Sequence, residues 1–371
     1  MRLRQKIEEE IRRCGPIPFS RYMEMCLYDA ELGYYAAHAE QFGKVGDFYT
    51  SSDVHAVFGR LLARQFDEMW RALDSPAALQ IVELGPGRGL FAQDVLDWAE
   101  KKFSAFFTAA RYVLVEASPA LRARLGETLQ RRIASGKAEI LNTLPAQLSP
   151  PDIIFANEFF DALPVEVISH RGGLRIEGEQ GRFVETFAPP SAAALQYLDR
   201  YSVHPETGER VEAALRAQDC MGNIAQRLQC GFVIVIDYGY TREEQLAGRH
   251  RGTVTAFRRH TISASPYDAP GEQDITAHVN FTALQEAGKA GGLEPLALLT
   301  QAQFLMGIGE DNQFADAFEE ARLPQEQAKV ALQLKHLVTP AGMGESFHVL
   351  VMGKGVDAAT GRRLSGLKFA R

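Results

Sequence analysis

Cysteine is scarce in this 371-residue chain, and its four thiols, Cys14, Cys26, Cys220 and Cys230, form no Cys-x-x-Cys pair. With nine scattered histidines, that spacing supports neither a zinc site nor a disulfide framework, so no metal is expected. Reduced thiols point to a cytoplasmic compartment. Basic charge is short as well: 40 Lys and Arg face 47 Asp and Glu, a net charge of −7. The chain therefore has no general attraction to nucleic-acid phosphates, and a basic protein partner suits its balance better. Long apolar runs are missing. The longest aliphatic stretch, Phe232 to Ile236, falls far below the roughly 20 residues of a spanning helix, so no membrane insertion is expected. The start, Met-Arg-Leu-Arg-Gln-Lys-Ile-Glu-Glu-Glu-Ile, has three consecutive glutamates and no apolar signal core, which predicts no targeting segment. No repeat or low-complexity tract appears. What remains is ordinary globular usage, 46% hydrophobic and 23% charged, in a chain long enough for one large domain with an accessory piece.

The most informative stretch is Ile81-Val-Glu-Leu-Gly-Pro-Gly-Arg-Gly-Leu90. A short apolar run ends in Glu83, Gly85, Gly87 and Gly89 follow at alternate positions, and Leu90, Phe91, Val95 and Leu96 then keep helical spacing. The pattern predicts a buried strand turning sharply into a helix. Its glycines let backbone approach a ligand, and the helix start adds unpaired N–H groups. A dinucleotide fingerprint needs a third glycine at the sixth position, where this chain has Leu90. Gly-x-Gly-x-Gly after an acid is instead the form that binds S-adenosylmethionine (SAM) in doubly wound methyltransferases, with Glu83 placed to meet the ammonium group. A tight strand–helix connection with no ligand is the plain alternative.

Two more strand ends carry polar groups. Arg111-Tyr-Val-Leu-Val-Glu116 predicts a second buried strand whose terminal acid, Glu116, can accept ribose hydroxyls, as it also would from NAD. Pro151-Asp-Ile-Ile-Phe-Ala156 leads into Asn157-Glu158-Phe159-Phe160-Asp161-Ala162-Leu163-Pro164. Two carboxylates and a carboxamide among aromatics suit a polar acceptor in an apolar slot, although helix capping and core packing would use the same residues. Glu158 and Asp161 are the expected catalytic pair.

Organisation follows from periodicity. Leu3, Ile7 and Ile11 share a helical face, and Phe58, Leu62, Phe66 and Trp70 recur every fourth residue between His55 and Trp70. Between these helices lies a loop with Gly43 and Gly46, in which Asp47 and Thr50 are cofactor candidates and Tyr49 an acceptor candidate. The runs Leu174–Gly178 and Arg182–Phe187 flank a turn and predict an inserted hairpin. Gly231–Ile236 predicts the fifth strand, ending in Asp237 and Tyr238 as further acceptor candidates. Residues 240–280 read as a long polar loop assigned to the acceptor site, with Arg258, His260, Asp274 and His278 as candidates. Phe281–Ala290 predicts a helix, and Leu293–Leu299 and Phe347–Met352 the last two strands.

Five segments occur in an order that resembles the MidA-like SAM-dependent methyltransferases. They are Gly46-Asp-Phe-Tyr-Thr50-Ser-Ser, Glu83-Leu-Gly-Pro-Gly-Arg-Gly89, Asn157-Glu-Phe-Phe-Asp-Ala-Leu-Pro164, Ile236-Asp-Tyr-Gly239 and Gly271-Glu-Gln-Asp-Ile-Thr276. That family includes a mitochondrial complex I assembly factor acting as a protein arginine methyltransferase. The resemblance implies an α/β fold: a Rossmann-like class I SAM methyltransferase core with a seven-stranded, mostly parallel sheet. A helical N-terminal lid (1–75), a core (76–356) with accessory insertions near 165–190 and 240–280, and a tail (357–371) are expected. It also implies SAM as cofactor, bound by Glu83, Gly85, Gly87, Gly89, Glu116, Asn157, Asp47 and Thr50. The implied acceptor is an arginine of a protein substrate such as a complex I subunit, met by Tyr49, Asp237, Tyr238, His260 and Asp274. The chain departs from the family at Ser52 and Asp53, where Pro-Glu is common, and at Arg60, where the family has an acid. A SAM-binding assembly scaffold remains the alternative, and an NAD-dependent oxidoreductase is disfavoured by Leu90.

Overall fold

The computed structural model describes residues 2–37, 56–146, 152–258, 261–361 and 363–370. The chain divides into two compact units: Met1–Phe48 with Phe159–Gly222 and Gly239–Ala287, and Tyr49–Glu158 with Asn223–Tyr238 and Gly288–Arg371. The helix Ala56–Ala72 thus groups with the second unit, and the residues before Phe48 group with the inserted strands.

The second unit is built on a sheet of β1 (Leu79–Leu84), β2 (Ala110–Val115), β3 (Ala138–Leu141), β4 (Asp152–Asn157), β5 (Gly231–Tyr240), β6 (Glu294–Thr300) and β7 (Phe347–Lys354). Their spatial order is β6-β7-β5-β4-β1-β2-β3. The first five strands run parallel, whereas β7 is antiparallel to both β5 and β6. The central strands β1, β4 and β5 are buried along nearly their whole length because helices cover both faces of such a sheet. On one face Leu79, Ile81, Tyr112, Leu114, Ile153 and Phe155 meet Phe58, Leu62 and Phe66 of helix Ala56–Ala72 and Phe91 and Val95 of helix Leu90–Lys102. The Phe91 ring stacks on Phe155 at 4.5 Å. The four-residue period of the first helix is realised as expected, since Phe58, Leu62, Phe66 and Trp70 are all buried.

Two expectations change in this unit. The fifth strand does not end at Ile236 but runs to Tyr240, because Asp237 and Tyr238 continue to pair with His348 and Phe347 of β7. Its start needs glycine: Gly231 holds φ 140°, and a Cβ there would fall 1.8 Å from the Asp152 carbonyl oxygen. The expected tail is docked as well. Leu364 to Leu367 are buried, with the Gly366 N–H donating to Gln65 Oε1 (2.9 Å) and the Ser365 N–H to Glu68 Oε2 (2.8 Å) on helix Ala56–Ala72.

The first unit pairs Ile17–Pro18, Glu166–Ser169, Gly172–Glu179, Arg182–Ala188 and Arg210–Ala213 in an antiparallel sheet. The predicted hairpin is there, closed by Gln180 and Gly181 at φ 48° and 76°, the two positive values that suit a tight two-residue turn. Residues 240–280 are not one long loop. They hold helix Arg242–Leu246 and the strands Thr255–Arg258, Thr261–Ile262 and Asp274–Thr276. The reason is burial: Ala256 and Ile275 join Leu3, Ile7, Ile11, Tyr22 and Ile176 in one apolar cluster, and sparse apolar residues suffice for strands this short.

Candidate active site

All the acidic strand ends named from sequence lie at the carboxyl edge of adjacent strands in the sheet unit. β1 carries Glu83 and the glycine turn, β2 leads into Glu116, β4 ends in Asn157 followed by Glu158, and β5 brings Asp237 and Tyr238. In open parallel sheets this edge is where ligands bind.

The turn is built as the sequence predicts. Gly85, Gly87 and Gly89 have φ of 64°, 56° and 78°, a left-handed conformation that costs other L-residues about 1–2 kcal/mol each. The Gly85 N–H donates to the Val115 carbonyl (3.1 Å) and the Gly89 N–H to the Pro86 carbonyl (2.9 Å), which ties the loop to β2 and starts helix Leu90–Lys102. A Cβ at Gly89 would strike Leu125 Cδ2 at 2.7 Å, whereas one at Gly87 would meet nothing within 4 Å. Space above residue 87 is open for a ligand to touch bare backbone. The residues present therefore fit a nucleoside-type cofactor.

The acids differ in character. Glu83 is 4% exposed, and its Oε2 accepts the Tyr112 hydroxyl proton at 2.9 Å. Burial pushes its carboxyl up to about 8, opposed by that hydrogen bond. Burial likewise raises Glu116 to about 7, opposed by the Ser118 N–H, which donates to its Oε1 at 2.8 Å. Ser118 in turn caps helix Pro119–Thr128 through Leu121 N–H, so Glu116 sits against a helix start. Asn157 Nδ2 donates to Glu158 Oε1 at 3.2 Å. Glu158 itself holds φ 49°, with its N–H bonded to the Ile236 carbonyl (2.9 Å). Asp237 is fully buried and accepts the Tyr238 N–H (3.0 Å), while the Tyr238 ring meets Phe347 edge-on at 5.6 Å.

Asp161 and Asp274 belong to the other unit, where the structure brings them to one place. Tyr35 is half-buried, and Asp274 and Asp161 both act on its hydroxyl; burial and these charges hold its proton on well above the usual phenol range. Its hydroxyl donates to Asp274 Oδ1 (3.2 Å), the Asp161 carbonyl accepts the Ala277 N–H (2.9 Å), and the Tyr28 hydroxyl donates to the Ala162 carbonyl (3.0 Å). His278 forms a separate pair with His250, their Nδ1 atoms 3.1 Å apart. Arg258 is ion-paired with Glu272. Asp47, Tyr49, Thr50 and His260, together with Ser52 and Asp53, lie outside the described residues.

Sequence reasoning missed Tyr112, Tyr28 and Tyr35. Tyr112 stood in a strand noticed only for its terminal acid, and the Tyr34-Tyr35 pair was the available signal for the other cluster. Arg60, the departure from the family's acid, has a structural role: it pairs with Glu320 and lies over the Trp98 ring at 4.7 Å. Among the described residues no group of three or more His, Cys, Asp or Glu is arranged to hold a metal, and no helix is long and apolar enough to cross a membrane.

The strand order, the reversed last strand and a glycine turn flanked by acidic strand ends define a class I methyltransferase. Comparison with known proteins agrees. Residues 61–299 match a family model described as "Putative S-adenosyl-L-methionine-dependent methyltransferase". A solved superfamily member from Burkholderia thailandensis, bound to S-adenosyl-homocysteine, superposes with a TM-score of 0.84 at 30% identity, over 99% of this chain and 95% of that one. The protein arginine methyltransferase NDUFAF7 of Danio rerio is 30% identical over 92% of this chain and 84% of its own length. The Drosophila melanogaster homologue, also named a protein arginine methyltransferase, is 29% identical over 96% of this chain and 86% of its own. The chain belongs to this MidA-like family of SAM-dependent methyltransferases, and SAM is its cofactor.

Proposed function

We propose that the chain methylates an arginine side chain of a protein, with a respiratory complex I subunit as the first candidate, in the cytoplasm. The relatives named protein arginine methyltransferases support this acceptor. The observation that carries it is Glu158, a carboxylate on a left-handed backbone at the end of β4, next in the sheet to the strand that bears the glycine turn. A non-glycine residue held this way costs on the order of 1–3 kcal/mol, a cost that clusters at functional sites.

Bound SAM supplies an activated methyl group on a sulfonium. Aligning acceptor nitrogen and methyl in line can lower the barrier by about 7–11 kcal/mol. A guanidinium is a planar cation whose N–H groups pair with carboxylates in a fork, and Glu158 is suited to accept them. Removing its proton as the nitrogen attacks contributes roughly 10²–10⁴-fold. Asp161, the other acid expected from the sequence, belongs to the other compact unit.

The test uses the full chain, methyl-labelled SAM and recombinant complex I subunits, followed by hydrolysis and amino-acid analysis. Labelled methylarginine is the expected product. Label in another residue type, or none from a chain that binds S-adenosylhomocysteine, overturns the acceptor.

A further inference from the structure

Glu83 is a carboxyl set inside an aromatic core. It is the fifth residue of β1, opposite Leu114 of β2 and Phe155 of β4. By strand alternation it shares the face of Leu79 and Ile81, which packs against Phe91 and Phe155. Tyr112, two residues back on β2, reaches diagonally across that face to hydrogen-bond it, and is itself fully buried. Among the described residues, Tyr112 is the one titratable group that acts on Glu83. Acids on the covering helices are engaged elsewhere: Asp67 pairs with Arg71, Glu68 accepts from Ser365, and Asp94 lies beside Gly59 and feels Arg60 and Asp97.

We propose that Tyr112 is a positioning residue of the cofactor site: it holds Glu83 so that SAM's ammonium binds its carboxylate and a proton leaves. The inference rests on SAM binding at the glycine turn, with Glu83 two residues before Gly85. In the free protein the buried carboxyl keeps its proton, because among the described residues one hydroxyl alone compensates the charge there. When the ammonium docks, the O–H bond of Glu83 breaks, the proton passes to buffer, and an ammonium–carboxylate pair replaces a neutral acid. The Tyr112 hydroxyl donates to the carboxylate and favours its formation. Without it the acid is weaker and the cofactor binds less well at neutral pH.

Titration calorimetry with S-adenosylhomocysteine between pH 6 and pH 8, in buffers of different ionisation enthalpy, reads this directly. With an acid near 8, the wild-type Kd should tighten by about fiftyfold over that range, with close to one proton released per ligand at pH 7. Tyr112→Phe should shift the curve to higher pH and weaken binding roughly tenfold at pH 7. Glu83→Gln should remove the proton release and flatten the profile. Methylthioadenosine, which has no amino-acid end, should bind wild type without releasing a proton, a control that needs no variant. A pH-independent wild-type Kd, or a folded Tyr112→Phe chain with an unshifted profile, overturns the assignment. Failure to bind S-adenosylhomocysteine at any pH would instead remove the site itself.

Discussion

Gly87 and Gly89 sit two residues apart in the same turn, yet alanine should harm the protein at each for a different reason. At position 89 alanine must hold φ near 78°, and its Cβ would lie 2.7 Å from Leu125 Cδ2 and 3.3 Å from Leu129 Cδ1. Both leucines are buried and cannot swing into solvent. Backbone strain of about 1–2 kcal/mol and overpacking of about 1–3 kcal/mol then add to roughly 2–5 kcal/mol. At position 87 the strain is similar, but the Cβ enters open space, so only ~1–2 kcal/mol is lost. In a unit of this size each kcal/mol moves the thermal midpoint by about 2–4 °C. Gly89→Ala should therefore melt several degrees below Gly87→Ala. Gly87→Ala should in turn lose S-adenosylhomocysteine affinity by about tenfold or more, since its methyl stands where the ligand meets backbone. Scanning calorimetry and isothermal titration on the two purified chains give both numbers. Equal melting of the two variants, or wild-type affinity in Gly87→Ala, would refute the account of the turn.

Other predictions are simpler. Glu158→Gln should leave S-adenosylhomocysteine binding near wild type and cut methyl transfer by about 10²–10⁴-fold; transfer at the wild-type rate removes Glu158 from the chemistry. Glu158→Gly should stabilise the fold by about 1 kcal/mol by relieving φ 49° while abolishing transfer, and an unchanged melting point would deny the strain. Arg60→Glu restores the family's charge but sets it beside Glu320 and Asp94 and removes the cation from Trp98, so a loss of about 1–2 kcal/mol is expected in denaturant titration. Asp152 is fully buried, neither carboxylate oxygen has a hydrogen-bond partner among the described residues, and burial raises it to about 7. Its folded pKa lies above the unfolded value near 3.9, so the folded state binds the extra proton and stability falls as pH rises from about 4 to 7, with the full penalty present above 7. Asp152→Asn should thus stabilise by about 1–2 kcal/mol at pH 8 and make no difference near pH 3; equal stability of the two chains at pH 8 would sink this.

Much of the cofactor half was legible because its signals are local. Gly85, Gly87 and Gly89 advertise a left-handed turn, and apolar runs ending in Glu83, Glu116 and Asn157 advertise buried strands with polar ends. Helical faces such as Leu3, Ile7 and Ile11 were equally plain. The stretch 240–280 misled because its strands are short and many of its buried positions are polar, among them Gln245, Thr253, Gln273, Asp274, Thr276 and Asn280, so burial there shows no hydrophobic period. Arg60 stood out from the sequence only as a departure from the family's acid, since nothing local names Glu320 and Trp98 as its neighbours.

The chain's own letters settled the elements, the turn and the candidate acids, because backbone sterics and side-chain alternation act over a few residues. Folding alone decided that Tyr112 meets Glu83, that Tyr35 collects Asp161 and Asp274, and that residues 364–367 return to helix Ala56–Ala72. Such pairings join positions tens to hundreds of residues apart. They depend on strand order and shared burial, which no short window of sequence encodes.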